Sequence, residues 1–473
     1  MKLSKLLDNI EYTGSYTDDE VIDIVSDSRK VKKGSLFIAI KGESFDGHSA
    51  AADALKNGAV AVITEKKIGL EKEITVEDTR IASALLSSAY FDNPGSKLKL
   101  VGVTGTNGKT TVSNIIKQAI ENLGHKAGLI GTIQYEMGGR IIPAKYTTPE
   151  PWDLNALFVQ MVESGCEYAV MEASSQALAQ QRLYGQNFEL AVFTNLTRDH
   201  LDYHKSMEDY FNAKRKLFIT AKNCVINVDD EFGRKLFDEF AEKSISYSAK
   251  SNMSHYTAKN IEYSSDNVRF ALSGDNFIGR VKLNIPGFYS VQNALAASLS
   301  LISLGFPKEQ ATESISSVKG IKGRCETLYN GEFTVMSDFA HTGDALEQLI
   351  AGLKPYIEGK LLVLLGCTGD RDAGKRAGMI ETVCHNADIV ILTSDNPRTE
   401  DPEEIISSLI PVLDKECKNY YTEQDREKAV ALALSLCSKG DLLLLCGKGH
   451  EEYQVMNGYT VYLNERDLVN SKI

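Results

Sequence analysis

A glycine-rich loop at residues 101–111 is the first stretch whose residue types suggest chemistry. It reads VGVTGTNGKTT and lies between an apolar strand and an amphipathic helix. Its glycines permit a tight turn that presents N–H groups to phosphate, Lys109 can reach terminal phosphates, and Thr110 can ligate Mg²⁺. Although Val103 replaces the first glycine of the usual GxxxxGK[ST] pattern, the context predicts ATP or GTP binding rather than an ordinary glycine turn.

Polar side chains also follow two later apolar runs. VMEASSQALAQQR places Glu172 at a predicted strand end, where a carboxylate could bind Mg²⁺ beside the loop. FTNLTRDHLDYHKS ends another strand with Asn195, Asp199, His200 and His204. Because the carboxyl ends of parallel strands share one edge of a sheet, this grouping favours a site over isolated structural histidines.

A lysine lies close to the apolar stripe of the next predicted helix, SMEDYFNAKRKLF. Tyr210, Ala213 and Leu217 form that stripe, and Lys214 falls beside it. Composition alone favours a surface lysine whose aliphatic stem covers apolar neighbours.

A polar turn, TSDNPRTEDP, follows the apolar run ADIVILT near residue 393. Asp395, Asn396, Pro397 and Arg398 could hold a zwitterion, with an ammonium on the aspartate and a carboxylate on the guanidinium. The same letters could equally form a capped turn before a helix.

The elements that must position these residues are strands alternating with amphipathic helices from Lys99 onward. Predicted strands are LKLVGV, EYAVME, ELAVFTN and NCVINV, and later LLVLLGCTG, ADIVILT and DLLLLC. This alternation predicts an α/β protein with doubly wound, mostly parallel sheets. We predict three α/β domains, at residues 1–98, 99–320 and 321–473, the second containing the phosphate loop and the third Rossmann-like.

The composition is that of a globular protein, with 473 residues, 43% apolar and 25% charged. A net charge of −12 without a basic cluster excludes a nucleic-acid stripe, and no apolar run approaches a membrane span. Eight singly scattered cysteines predict buried thiols in a reducing compartment, without zinc or disulfides. We expect a cytoplasmic monomer that is not inserted in a membrane.

Six stretches in this order resemble the Mur ligase family, which forms amide bonds with ATP in peptidoglycan precursor synthesis: GVTGTNGKTT, TNLTRDHLDYH, AKRKLF, GRCE, DFAHTGDAL and GKGHE. SDSRKVKKGSLFIAIKGESFDGH and YTTPEP are similar to substrate segments of the type that adds meso-diaminopimelate to UDP-N-acetylmuramoyl-L-alanyl-D-glutamate. The resemblance implies that the three domains bind the UDP-sugar, ATP and the amino acid, in that order.

The resemblance also implies roles for individual residues. The ATP-binding residues would be Thr104, Gly105, Thr106, Asn107, Gly108, Lys109, Thr110, Asn293, Arg324, Asp338 and His341. Magnesium would be held by Thr110, Glu172, His200 and a carbamylated Lys214, and the catalytic residues would be Lys109, Glu172, His200 and Lys214. The UDP-sugar-peptide would contact Ser26, Ser28, Glu43, Ser44, Phe45, Thr147, Thr148, Ser174, Gln180 and Arg182. The amino acid would contact Arg371, Asp395, Asn396, Pro397, Arg398, Gly447 and Glu451.

Five positions depart from the family's usual letters: Gln176, Ser290, Cys325, Gly343 and Thr368. A paralogue with another UDP-linked or amino acid substrate is therefore one alternative, and a folylpolyglutamate-synthase-like ligase is another. The DNPR form of the turn is associated with meso-diaminopimelate, whose extra carboxylate a guanidinium binds bidentately. A preference of ~10-fold or more over lysine follows, because lysine would leave the guanidinium unpaired.

Overall fold

The computed structural model describes residues 1–42 and 45–473, so the predicted contacts of Glu43 and Ser44 lie outside the described residues. The chain folds into two compact units. The first comprises Met1–Thr104, Gly124–Ala191 and Asn212–Cys224, and the second comprises Gly105–Leu123, Val192–Phe211 and Val225–Ile473. The domain boundaries at residues 98/99 and 320/321 stay predictions.

The N-terminal region, within the first unit, is a five-stranded sheet with three α-helices. The strands are β1 (Thr13–Gly14), β2 (Asp23–Val25), β3 (Ser35–Ile38), β4 (Ala61–Thr64) and β5 (Glu73–Thr75). The helices are α1 (Leu3–Leu7), α2 (Ala51–Lys56) and α3 (Thr79–Tyr90), with 3₁₀ turns at Ser28–Lys30, Gly47–Ala50 and Pro94–Lys97. The order is β1-β5-β4-β3-β2, and every neighbouring pair is parallel except β1 and β5.

Glu73 on β5 is a buried carboxylate that holds the loop before it. It accepts hydrogen bonds from the N–H groups of Ile68 (2.6 Å), Gly69 (2.8 Å) and Leu70 (3.0 Å) and from the Thr64 hydroxyl (3.0 Å). Burial raises the pKa of Glu73, but these hydrogen bonds together outweigh burial and hold the pKa below its ordinary value of 4.5.

We expect Glu73→Gln to lower the free energy of unfolding of this region by about 2 kcal/mol, because an amide offers one acceptor oxygen in place of two. A depressed folded-state pKa gives stability that is complete above the ordinary value of 4.5 and is lost as pH falls through the folded-state pKa. Urea unfolding measured from about pH 7 to about pH 3 should therefore show that the difference in free energy of unfolding between the wild-type protein and Glu73→Gln becomes smaller as the pH falls. Glu71→Gln, at an exposed neighbour, is the control. A difference that does not change with pH would contradict the prediction.

The middle region carries the elements that were predicted to hold the phosphate loop. Its strands are β6 (Lys99–Thr104), β7 (Ala127–Ile130), β8 (Gln134–Met137), β9 (Arg140–Pro143), β10 (Tyr168–Glu172), β11 (Phe188–Phe193), β12 (Asn223–Asn227), β13 (Ser244–Ser248), β14 (Tyr256–Tyr263), β15 (Val268–Gly274) and β16 (Phe277–Leu283). Its helices are α4 (Lys109–Asn122), α5 (Pro151–Glu163), α6 (Ser175–Ala179), α7 (Leu201–His204), α8 (Met207–Thr220), α9 (Glu231–Phe240), α10 (Phe288–Ser303) and α11 (Lys308–Ser316), with a 3₁₀ turn at Ala241–Lys243.

The strands of the middle region pair partly in parallel and partly antiparallel. In the first unit β10 pairs in parallel with β6 and β7. Strand β8 pairs antiparallel with both β7 and β9. In the second unit β14, β15 and β16 form an antiparallel meander beside β13. Parallel pairing is confirmed for β6 and β10, two of the predicted strands, and the meander is an addition that the helix–strand alternation did not indicate.

The C-terminal region, within the second unit, is a six-stranded sheet with helices on both faces. Its strands are β17 (Glu326–Asn330), β18 (Thr334–Asp338), β19 (Leu361–Cys367), β20 (Ile389–Ser394), β21 (Tyr420–Glu423) and β22 (Leu442–Cys446), followed by the hairpin β23 (Tyr453–Met456) and β24 (Tyr459–Tyr462). Its helices are α12 (Gly343–Leu353), α13 (Gly374–Asn386), α14 (Pro402–Ser407), α15 (Ile410–Glu416), α16 (Arg426–Leu436) and α17 (Glu465–Lys472), with a 3₁₀ turn at Lys354–Tyr356.

The order β17-β18-β22-β19-β20-β21 is parallel throughout except between β17 and β18. Every residue of β19, β20 and β22 is buried, because helices pack on both faces. The loops after these strands therefore leave the sheet at one edge, where the predicted amino-acid residues lie.

The prediction that all cysteines are thiols is wrong for two of them. Cys384 on α13 and Cys417, at the end of α15, form a disulfide with a Cα–Cα distance of 4.6 Å. The pair is 33 residues apart, and only the packing of α13 against α15 brings the two together. Cysteine spacing therefore carried no signal for this bond.

Among the residues that the structure describes, no helix is both long and apolar enough to cross a membrane.

Candidate functional site

The phosphate loop joins β6 to α4, as the sequence predicted. Gly105 has φ +153°, and a Cβ there would overlap the Thr194 hydroxyl. Gly108, with φ +86°, would bring a Cβ to 2.7 Å from Asn293 Oδ1. Both positions therefore require glycine, because no side chain fits the bend or the space.

The end of β11 holds this loop in place. The Thr194 hydroxyl donates to Asn107 O at 2.6 Å, and the Thr106 N–H donates to Asn195 O at 2.8 Å. The Asn107 N–H donates to Asn195 Oδ1 at 2.9 Å. Lys109 Nζ donates to two carbonyls of the loop itself, Gly105 O at 2.9 Å and Thr106 O at 2.8 Å. The ammonium thus lies at the centre of the turn.

A cleft of about 830 Å³, including space open to solvent, opens beside this loop in the second unit. It brings together six of the residues predicted to bind ATP: Asn107, Gly108, Asn293, Arg324, Asp338 and His341. Its wall also contains Phe288, Tyr289 and Phe339, which offer aromatic surface to a planar base. Of the remaining predictions, Gly105, Thr106, Lys109 and Thr110 lie in the loop and at the start of α4, and Thr104 ends β6.

Arg324 and Asp338 have different tasks in the cleft wall. Arg324 lies over the Phe339 ring at 4.8 Å and donates to the Thr110 hydroxyl at 3.1 Å. The Asp338 carboxylate accepts from the Cys325 and Ala340 N–H groups, both at 2.7 Å. Asp338 therefore shapes the cleft by holding the backbone, and Arg324 brings a cation to the phosphate loop.

His200 belongs to a charged cluster that also contains Asp199, Lys375 and His341. His200 Nε2 is 3.5 Å from Asp199, and Lys375 Nζ is 3.9 Å from the same carboxylate. Burial raises the pKa of Asp199, but His200, Lys375 and His341 together hold it below its usual value. Burial and Lys375 lower the pKa of His341. This cluster joins residues of the middle and C-terminal regions within the second unit.

In the first unit, Glu172 and the predicted sugar-peptide residues form one polar cluster. Glu172 is fully buried, and its oxygens accept from the Thr132 N–H (2.8 Å) and hydroxyl (3.0 Å). The Thr148 hydroxyl donates to Glu172 O at 2.7 Å and to Ser174 Oγ at 3.2 Å. Arg182 donates to Thr148 O at 2.8 Å. Sequence reasoning missed Thr132, which no motif contains.

Two more predicted residues extend this cluster. Arg182 donates to Gln180 Oε1 at 2.7 Å, and the Thr147 hydroxyl is 3.1 Å from that of Thr132. Of the residues predicted to bind the uridine end, Ser26 is exposed after β2, Ser28 begins a 3₁₀ turn capped by Asp27, and the Phe45 side chain is 58% exposed. Their role in binding stays a prediction.

Lys214 is buried on α8, with only 1% of it exposed, so the alternative of a surface lysine is wrong. Lys214 and Glu172 belong to the first unit, and Thr110 and His200 belong to the second. The four-residue magnesium set stays a prediction. Within the described part of the chain, no three or more His, Cys, Asp or Glu side chains form a metal cage of their own.

The turn that follows β20 is buried and built against two neighbouring loops. Asp395 and Asn396 are 2% and 6% exposed, and Pro397 is buried. A Cβ on Gly447 would lie 2.9 Å from Asp395 Oδ2, so the loop after β22 approaches this carboxylate closely. Asn396 Nδ2 donates to Glu451 Oε2 at 2.9 Å. The structure thus brings together Asp395, Asn396, Gly447 and Glu451.

Arg371 is exposed on the loop after β19, and its place in the pocket stays a prediction. The loop itself is fixed to the turn, because the Gly369 N–H donates to Asn396 O at 2.9 Å. Asp395 Oδ1 and Arg398 Nε are buried without a hydrogen-bond partner among the described residues. A ligand with an ammonium and a carboxylate would satisfy both atoms.

The β23–β24 hairpin, which sequence reasoning missed, holds the turn from outside. The Arg398 N–H donates to Val455 O at 3.0 Å, and the Asn457 N–H donates to Arg398 O at 2.6 Å. Buried Gln454 donates to Ser394 Oγ at 3.1 Å. These contacts hold Arg398 at φ +57°, which an isolated turn would rarely adopt. The alternative of a simple helix-capping turn does not account for them.

The five residues that depart from the family's usual sequence lie at defined places in the fold. The Ser290 hydroxyl donates to Pro286 O at 2.7 Å, and Thr368 O accepts from Arg376 at 3.1 Å. Cys325 and Ser290 both line the cleft. Gln176 lies on α6 and Gly343 is the first residue of α12.

Three family models match the chain: Mur ligase family, catalytic domain over residues 21–101, Mur ligase middle domain over residues 103–301, and Mur ligase, glutamate ligase domain over residues 323–449. The chain belongs to the Mur ligase family, and its fold is the three-domain α/β fold of that family.

Relatives of one name match along the full chain. A UDP-N-acetylmuramoyl-L-alanyl-D-glutamate–2,6-diaminopimelate ligase from Clostridium perfringens (strain 13 / Type A) is 39% identical over 484 residues, which cover 99% of each chain. A ligase of the same name from Caldanaerobacter subterraneus subsp. tengcongensis is 42% identical over 476 residues, which cover 99% of this chain and 98% of the relative. A solved structure of that name is 32% identical, with a TM-score of 0.72. The match covers 100% of this chain and 99% of the chain in that structure. A MurF from Acinetobacter baumannii shares the fold. It is 18% identical with a TM-score of 0.66, and the match covers 100% of this chain and 98% of that chain.

Proposed function

We propose that this chain is an ATP-dependent ligase of the MurE type, which joins meso-diaminopimelate to UDP-N-acetylmuramoyl-L-alanyl-D-glutamate in peptidoglycan precursor synthesis. The buried turn Asp395–Arg398 carries the proposal. Asp395 Oδ1 and Arg398 Nε have no hydrogen-bond partner among the described residues, with Lys448 Nζ 3.7 Å from Asp395 Oδ1, and the two atoms match the ammonium and the carboxylate of one zwitterionic group. The full-length relatives with that name support the same activity.

The proposed reaction has two steps. The side-chain carboxylate of D-glutamate attacks the γ-phosphorus of ATP, ADP leaves, and an acyl phosphate forms. The unprotonated amine of diaminopimelate then attacks the acyl carbon, so that the amide forms and phosphate leaves. The main barrier in the first step is repulsion between two anions, which Lys109 and the N–H groups of its loop offset. Our candidate acceptors of the amine proton are His200, which is 46% exposed, and the neighbouring Asp199 carboxylate.

Magnesium, when bound with the nucleotide, would neutralise the phosphate oxygens. We assign it to Thr110, Glu172, His200 and Lys214. A buried carboxylate and a hydroxyl are the oxygen donors that Mg²⁺ combines with phosphates, without a dedicated cage of protein ligands. Burial of Lys214 supports its carbamylation, because the reaction with CO₂ replaces a buried ammonium by an anion that can ligate the metal.

The remaining predicted residues keep the roles that the family resemblance implies. Ser26, Ser28 and Phe45 would contact the uridine end, and the cluster around Thr148 and Arg182 would contact the sugar and peptide. Use of ATP and a UDP-linked precursor favours a cytoplasmic location.

Release of phosphate from ATP tests the proposal. We expect release only when both the UDP-muramoyl dipeptide and an amino acid are present, with meso-diaminopimelate preferred over L-lysine by about tenfold or more. Mass spectrometry of the UDP-linked product gives the identity of the new amide. Release without the UDP substrate, or equal turnover of lysine, would refute this function. The first result would favour another ligase class and the second a paralogue with a different amino acid.

A further inference from the structure

Lys448 is a fully buried lysine that reaches three residues of the amino-acid pocket. It follows β22 in the GKGHE stretch and is 0% exposed. Its Nζ donates to Asn396 Oδ1 at 2.9 Å and to Glu451 Oε2 at 2.8 Å. It also lies 3.7 Å from Asp395 Oδ1. A buried ammonium needs such compensation, and here all of it comes from the pocket.

The lysine sets the orientation of the Asn396 amide. Asn396 Oδ1 accepts from both Lys448 Nζ and the Val455 N–H, each at 2.9 Å. The amide nitrogen must then face Glu451, to which it donates. Without Lys448 the amide would keep only one of its two donors and Glu451 would lose its cation.

The lysine also balances the charge of the pocket. Asp395 and Glu451 contribute two carboxylates, and Lys448 and Arg398 contribute two cations. Tyr453 interacts with this group: its ring lies 5.4 Å from Lys448 Nζ, and its pKa is raised by burial and by the charges of Glu451 and Asp395, whereas Arg398 lowers it. With Lys448 the formal charges of this group cancel, and without it one negative charge remains.

We propose that Lys448 is a specificity-determining positioning residue, which keeps the pocket neutral so that it accepts the zwitterionic end of diaminopimelate and disfavours the cationic end of lysine. The inference rests on the proposed function, because it concerns the choice between those two amino acids. Diaminopimelate brings an ammonium and a carboxylate to this end, whereas lysine brings an ammonium alone. A pocket left with a negative charge would favour lysine.

Two substitutions separate charge from hydrogen bonding. Lys448→Met removes both, and Lys448→Gln removes the charge but retains a donor for Asn396. We expect each variant to lower the ratio of kcat/KM for meso-diaminopimelate to kcat/KM for L-lysine by about tenfold or more, mainly through KM, with the KM for ATP within about twofold. Lys448→Arg, which keeps the charge, should retain most of the ratio. Lys322→Met is the matched control, because it removes a nearby ion pair with Glu452 (2.5 Å) outside the pocket.

The outcomes are distinct. A ratio that falls in the Met and Gln variants but not in the Arg or Lys322 variants supports the inference. A parallel loss with both amino acids shows a merely structural role and overturns it, and so does a ratio preserved in the Gln variant. Thermal unfolding identifies a Met variant that does not fold, and the Gln and Arg variants then decide. If the wild-type protein itself does not use diaminopimelate, the proposed function fails and this inference fails with it.

Discussion

Lys109→Met should lower the rate of ATP-dependent ligation by about 10³-fold, because a preorganised cation at the transferring phosphoryl group is lost. The ammonium is already positioned, since Gly105 O and Thr106 O hold it at 2.9 and 2.8 Å inside the loop. Methionine keeps most of the length of the side chain and suits the start of α4, so the fold should persist. Phosphate release and product formation, measured with saturating substrates, give the effect.

Lys117→Met is the matched control for Lys109. It lies on the same helix two turns further on and pairs with Glu121 at 2.9 Å. We expect its rate to stay within about twofold of the wild-type value, because this ion pair lies about two helical turns away from the phosphate loop. A Lys109→Met enzyme that retained a tenth of the wild-type rate would show that the loop does not act on the transferred phosphate.

Arg398→Ala should lower kcat/KM for meso-diaminopimelate by about 10²-fold, because a site built to bind a carboxylate loses its guanidinium. Turnover of L-lysine and the KM for ATP should change little, since neither uses this cation. The structure favours a large effect: the hairpin holds the Arg398 backbone on both sides, so the side chain is preorganised. Steady-state kinetics with the two amino acids measure the change in preference.

Three further variants isolate the cause. Arg398→Lys keeps the positive charge but cannot bind a carboxylate with two parallel hydrogen bonds. Its kcat/KM for meso-diaminopimelate should lie between those of the wild-type and alanine enzymes. Arg398→Asn tolerates the left-handed backbone at φ +57°, so it removes the cation without straining the turn. Arg269→Ala, at an exposed arginine on β15, should leave the preference unchanged. Equal losses with diaminopimelate and lysine would mean that Arg398 supports the turn instead of selecting the substrate.

Features that depend on short, contiguous stretches were predictable from the sequence. The phosphate loop needs only a strand, two glycines with special backbone angles and a helix start, all within residues 99–110. The fully buried strands β19, β20 and β22 were predictable in the same way, because burial on both faces leaves a run of mostly apolar residues. The family followed from several such stretches in a fixed order.

Features that depend on distant contacts were not predictable. The burial of Lys214 depends on what packs against α8, and composition alone favoured a surface lysine. The Cys384–Cys417 bond depends on the packing of α13 against α15 across 33 residues. The meander β14–β16 has no counterpart in the strand–helix alternation from which the sheet was predicted.

The amino-acid pocket shows where this division lies. By itself the sequence determined that Asp395 and Arg398 follow a buried strand, because strand and turn are adjacent in the chain. Only the tertiary structure decided that Lys448, 52 residues from Asn396, reaches that turn and that the β23–β24 hairpin holds it. The physical reason is that hydrogen bonds and charge balance in a buried pocket depend on which loops meet at the sheet edge, and local patterns do not encode that meeting.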